Sequence, residues 1–133
     1  MRFCVLLIER MESVLMVVGL NTANGLVQHV LHISLEREDS VWEIGATPSY
    51  VGYGAAACVM DNTLYAVGIG HVGNELWKWN ATSDWTRCAD MTSGRLYHCV
   101  GVVESSLYSL GGWVDAAKIT LSSVEAYSTQ TSK

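Results

Sequence analysis

Four histidines, four cysteines and five tryptophans are the residues of this chain with the most distinctive chemistry. Metal or hydrolytic chemistry at histidine needs donors on one side of an element, as in HxH or HExxH. His29, His32, His71 and His98 have neither spacing. Cys4, Cys58, Cys88 and Cys99 stand too far apart for a CxxC metal or redox motif. Their even number admits two disulfides, but a chain this apolar does not need them, and reduced, mostly buried thiols of a cytosolic protein are the favoured expectation. A Gly-x-Ser-x-Gly elbow is missing. Gly68-Ile69-Gly70 lacks the helix that a dinucleotide site requires. Asp61, Asp84 and Glu104 fall in expected strand-connecting turns, where carboxylates are solvated. The residues therefore predict a protein that is not an enzyme and that holds no metal or cofactor.

The chemistry left is recognition by shape and apolar contact. With 50% hydrophobic and 16% charged residues, the chain has the composition of an ordered domain rather than a disordered one. A net charge of −5, with eight scattered Lys and Arg, does not provide the basic footprint of a nucleic-acid binder. The apolar stretch Phe3–Ile8 is stopped by Glu9-Arg10, too short for a secretory core or a membrane span, and reads as a strand. Asn80-Ala81-Thr82 fits the glycosylation sequon, which matters only in a secreted protein.

The elements that must position these residues repeat. Apolar runs end in glycine at Gly19, Gly68 and Gly111, 49 and 43 residues apart. Trp42 and Trp85 are also 43 apart, and each precedes the next marker glycine by 26 residues. At that offset Ala46/Ala89, Val59/Val102, Leu64/Leu107, Tyr65/Tyr108 and Gly68/Gly111 are identical without a gap. A period of this length indicates a propeller or a solenoid.

Within the middle repeat, Ala55–Met60, Leu64–Val67, the alternating Glu75–Asn80 and Trp85–Cys88 are strand-sized and separated by polar or glycine-rich turns. In the last, Arg95–Val103 and Leu107–Trp113 flank a Glu104-Ser105-Ser106 turn and read as a hairpin. No segment carries a 3.6-residue apolar period over ten or more residues. The fold class is all-β, with four antiparallel strands per repeat, as in a propeller blade.

The pattern resembles the kelch repeat. In that family a second strand ends in Gly-Gly, a Tyr follows about 15 residues later, and a Trp about six beyond. Here Gly111-Gly112 is followed by Tyr127, while Gly68 is followed by Trp79 in the Tyr position and by Trp85. Gly19-Leu20 and Gly68-Ile69 keep only the first glycine of the doublet, and His32-Ile33-Ser34 offers no Tyr. The resemblance implies an incomplete kelch-type propeller, with blade 1 at about 2–45, blade 2 at about 50–88 and an incomplete blade 3 at about 93–133. Since kelch propellers have more blades, the chain is expected to be a piece of a larger propeller.

The resemblance also implies sites. The position after the glycine doublet and the start of each first strand open on one face of a kelch propeller. That places Trp113, Asn21 and His71 there, with Arg95, Tyr97 and Tyr50 from the strand starts. Gly19, Gly68, Gly111, Gly112, Trp42, Trp85, Tyr65, Tyr108 and Tyr127 are the structural markers of the repeat, the two tryptophans expected to pack between blades. The implied function is a protein-interaction module like the propeller of BTB-kelch proteins. There the propeller takes the substrate of a cullin ubiquitin ligase, and the cullin is reached only through a BTB domain absent from this chain. The alternatives are an actin- or cytoskeleton-binding kelch protein, or a truncated product without function. Cytoplasmic location, a protein partner, and neither nucleic acid nor membrane complete the expectation.

Overall fold

Asp61 and Asn62 both take left-handed backbone angles (φ 50° and 52°), the requirement of a type I′ turn. That turn closes the hairpin of β5 (Ala56–Met60) and β6 (Thr63–Ile69). β6 continues antiparallel to β7 (Glu75–Asn80), and β7 to β8 (Ser83–Arg87), giving a four-stranded sheet in sequence order. The computed structural model describes residues 8–10, 14–22, 25–34, 38–39, 41, 43–45, 54–80 and 83–131.

An equivalent four-stranded sheet precedes it, formed by β1 (Ile8–Arg10), β2 (Val14–Thr22), β3 (Gly25–Ser34) and β4 (Glu43–Gly45). A third sheet follows, with β9 (Cys99–Val103), β10 (Ser106–Leu110) and β13 (Val124–Ser128) in the order β13-β10-β9. Between β10 and β13 the chain makes a small ribbon of β11 (Trp113–Val114) and β12 (Ile119–Thr120). The described residues are all strands and connections, antiparallel throughout. Such sheets fit an incomplete propeller, and the leading strands of successive sheets are neighbours, β1 beside β5 and β5 beside β9.

The repeat reappears as register. Leu15 pairs with Ile33, Leu64 with Trp79 and Leu107 with Tyr127, so the third strands align across the sheets. The β2–β3 ladder shifts between Val18 and Leu20, and the β6–β7 ladder between Val67 and Ile69, so Gly19 and Gly68 sit in equivalent bulges. Gly68 has φ +80°, and a Cβ built there would lie 2.5 Å from Cε1 of His98. A side chain at this point of the second sheet would collide with the third.

Two apolar clusters follow from strand alternation. Ala57, Leu64, Ala66 and Ile69 are buried on one face of the second sheet, with Trp77, Trp79 and Trp85 packed against them. On the other face Cys58, Met60, Tyr65, Val67 and Leu76 meet Leu107 and Tyr127 of the third sheet, flanked by Val100, Val102 and Met91. The Tyr65 and Tyr127 rings are tilted at 51° with centroids 6.1 Å apart, a favourable aromatic geometry. β6 is thus buried on both faces.

The expected strand Arg95–Val103 is shorter than the sequence indicates. β9 begins only at Cys99, and Tyr97 adopts φ 53°. The reason lies in where the backbone donors go: Arg95 N–H to Gly73 O, Leu96 N–H to Trp113 O and Tyr97 N–H to Gly54 O, each at 2.9 Å. Residues 95–97 stitch the sheets together instead of lengthening a ladder. Likewise Asp84, expected in a turn, lies within β8. Of the described cysteines, Cys58 is buried, Cys88 half-buried and Cys99 exposed. The expectation of mostly buried thiols therefore fits Cys58 and fails for Cys99. Trp42 falls outside the described residues.

Candidate functional site

The ends of β6 and β10 and the segment 92–98 gather at one edge of the second and third sheets. A groove of about 270 Å³ opens there between the 70–73 turn and the β11–β12 ribbon. His71, Val72, Gly94, Leu96, Val114, Asp115 and Ala116 line it. Its position follows from backbone pairing: Leu96 and Trp113 exchange N–H···O bonds of 2.9 and 2.8 Å, which anchors the ribbon beside the 92–98 segment. Leu121 N–H to Gly112 O, 2.8 Å, closes the far side of the ribbon.

Four of the lining side chains are apolar. Val72 is 70% exposed and adjoins the other apolar lining residues, an arrangement that suits contact with a partner. Asp115 accepts hydrogen bonds from Lys118 and from Trp113 Nε1, and the first of these contributes most to holding its carboxyl below the usual range. The rim is therefore ionised but internally paired. Among the described residues no cluster of three or more His, Cys, Asp or Glu has metal-binding geometry.

The sequence-predicted site residues separate into three groups. His71 lines the groove and half-buried Trp113 braces it through its backbone, while Tyr97 is not among the lining residues, lies against Gly54 and has 69% of its surface exposed. Arg95 is placed differently: it is 1% exposed. Its Nη1 donates to the carbonyls of Gly111 and Ser123 at 2.8 Å, and its Nη2 to Ser123 Oγ at 2.9 Å and Glu125 Oε1 at 3.0 Å. A guanidinium with its donors spent this way holds the blade together and has no surface to offer a partner. Asn21 pairs with Leu26 near the end of β2 and is not among the groove-lining residues, and Tyr50 lies outside the described residues.

Sequence reasoning missed Glu125 and Val72. Glu125 accepts the Thr92 N–H at 2.6 Å and the Ser93 N–H at 3.1 Å in addition to Arg95. Burial pushes its carboxyl up, but the Thr92 bond, Arg95 and the Ser93 bond outweigh that and hold it below the usual value. An acid two positions before Tyr127 carried the signal, since alternation alone puts Glu125 and Tyr127 on one face.

Residues 94–133 match the family model described as the kelch motif. Residues 94–133 carry the kelch motif. The chain is 38% identical over 88 residues to "Kelch repeat and BTB domain-containing protein 4" of Homo sapiens, covering 63% of this chain and 16% of that protein. The Mus musculus protein of the same name gives the same identity and coverage. "Kelch-like protein 35" of Homo sapiens is 28% identical over 120 residues, covering 88% of this chain and 20% of that protein. The chain thus spans between a sixth and a fifth of the length of the curated relatives it matches. Among its described residues no helix is long and apolar enough to cross a membrane.

Proposed function

We propose that this chain is a protein-binding part of a kelch propeller and that its partner docks in the groove between the 70–73 turn and the β11–β12 ribbon. The exposure of Val72 over a floor of Leu96, Val114 and Ala116 carries the reading, because a water-facing apolar surface rimmed by polar groups is typical of partner sites. Residues 95–97, fixed from below by backbone bonds, present that surface without an ordering cost at binding.

A relative's name includes a BTB domain. Within a polypeptide of that kind, the groove selects the substrate of a cullin ubiquitin ligase, with the BTB domain supplying the ligase contact.

The test is affinity capture with quantitative mass spectrometry, using the wild-type chain, Val72→Asp, and the full polypeptide of a BTB-containing relative carrying the equivalent change. A partner lost with Val72→Asp, and joined by cullin subunits only when the BTB domain is present, is the expected result. An identical set of bound proteins for wild type and Val72→Asp removes the groove from consideration.

A further inference from the structure

Ser109, on β10, is 1% exposed, and among the described residues its Oγ meets no hydrogen-bonding group. Buried side-chain polar atoms are in large majority bonded, to protein or to ordered water. The second sheet shows what this position otherwise holds. Ala66 stands 43 residues earlier at the same register, also 1% exposed, in an apolar cluster with Trp77, its partner on β7. The third sheet replaces that methyl and indole by Ser109 and its β13 partner Glu125. An apolar pair has become a polar one.

The hydroxyl and the carboxylate share a face of the third sheet but do not bond to each other. Glu125 is drawn instead toward the 92–95 segment. Its Oε2 accepts the Thr92 N–H at 2.6 Å, and its Oε1 accepts the Ser93 N–H at 3.1 Å and Arg95 Nη2 at 3.0 Å. Between the two side chains lies a cavity of about 40 Å³, in the seam of the second and third sheets, with Val67, Leu76, Leu107 and Tyr127 among its other lining residues. A water needs about 10–15 Å³ of such space and two to four polar partners, whereas a wholly apolar cavity stays dry. Here both needs are met. We propose that this cavity is a water site. Ser109 Oγ–H donates to the water, and the water donates to Oε2 of Glu125, which has a lone pair beyond the one that takes the Thr92 N–H. The bridge ties β10 into the Arg95–Glu125 network from the side that faces the second sheet.

Crystal structures of the 133-residue chain, wild type and Ser109→Ala, at a resolution that shows single waters test this. A peak within about 2.5–3.0 Å of both Ser109 Oγ and Glu125 Oε2 is expected in wild type and should be lost in Ser109→Ala. A methyl already stands at this register in the second sheet, at Ala66. Should Ser109→Ala not fold, Ser109→Cys offers only a weak donor, and the peak should again be lost. In urea denaturation Ser109→Ala and Glu125→Gln should be non-additive, because they remove the two ends of one bridge. A dry cavity in wild type overturns the inference. So does a direct bond from Ser109 Oγ to a protein group, a peak unchanged by the substitution, an adventitious ion only, or strict additivity of the two changes.

Discussion

Arg95 and Glu125, 30 residues apart in sequence, meet at 3.0 Å between Nη2 and Oε1, with the arginine side chain 1% and the glutamate side chain 22% exposed. The pair ties the entry of the third sheet to its outer strand. Further bonds from the same guanidinium reach the Gly111 and Ser123 carbonyls and Ser123 Oγ, so removal of Arg95 takes a donor from four acceptors at once.

Arg95→Met should therefore cost about 3–5 kcal/mol, the range for breaking a buried ion pair from one side. Arg95→Lys should recover little of it, because an ammonium cannot span the fork that meets Ser123 and Glu125. Urea denaturation of the three proteins reads this directly. A loss below about 1 kcal/mol for Arg95→Met would show that the network is dispensable.

Acid should weaken the same joint. Glu125 titrates lower folded than its ordinary value of 4.5, so the unfolded chain binds the proton more readily. Its contribution is complete above about that pH and is lost as pH falls through the folded value. Denaturation midpoints of wild type should decline from about pH 4.5 downward more steeply than those of Glu125→Gln. Parallel curves would contradict the assignment.

His98 gives a second, separable window. Its Nδ1–H donates to the Arg95 carbonyl at 2.9 Å. Burial lowers its pKa most; the carbonyl bond opposes this, and the Arg95 charge adds to the lowering. A lowered folded pKa means stability present above the ordinary 6.5 and lost as pH drops below it. Nuclear magnetic resonance titration should find His98 protonating below the ordinary 6.5, and a midpoint at or above it would sink the prediction.

The marker glycines should differ in tolerance. Gly68→Ala forces a Cβ onto the His98 ring and a left-handed angle on alanine, and should cost more than about 2 kcal/mol. Gly111 has φ +64°, but its nearest obstacle is Leu121 O at 3.3 Å, and Gly111→Asn should cost about 1 kcal/mol or less. Thermal melts of the two variants check the order.

At the groove, Trp113→Ala keeps the backbone bonds to Leu96 and should leave folding nearly intact. Val72→Ser, at an exposed position, should change stability by less than about 0.5 kcal/mol. Both should weaken capture of a groove-dependent partner about tenfold or more, equivalent to about 1.4 kcal/mol. Unfolding of Trp113→Ala would instead make that indole a structural residue.

The strands were legible wherever one face is dry. Alternation through Leu64, Ala66 and Trp79 and the spacing from Leu64 to Leu107 locate strands and register together. Arg95 was misplaced because its partners lie 16 to 30 residues away and two of them are main-chain carbonyls, which no sequence pattern marks. The β11–β12 ribbon pairs only two residues on each side, too few for a period to show. The groove itself depends on a bridge between Leu96 and Trp113, a tertiary contact without a local signature.

The burial of β6 on both faces has a consequence for how the chain opens. Where each sheet gains stability from its neighbours, cooperativity is a sum of nearest-neighbour couplings, and loss of structure begins at the ends of the series. The amides of Leu64 to Val67 should then exchange with solvent most slowly of all, outlasting those of β9 and β13. The middle sheet is the kinetic keystone of the chain, and its neighbours are released before it.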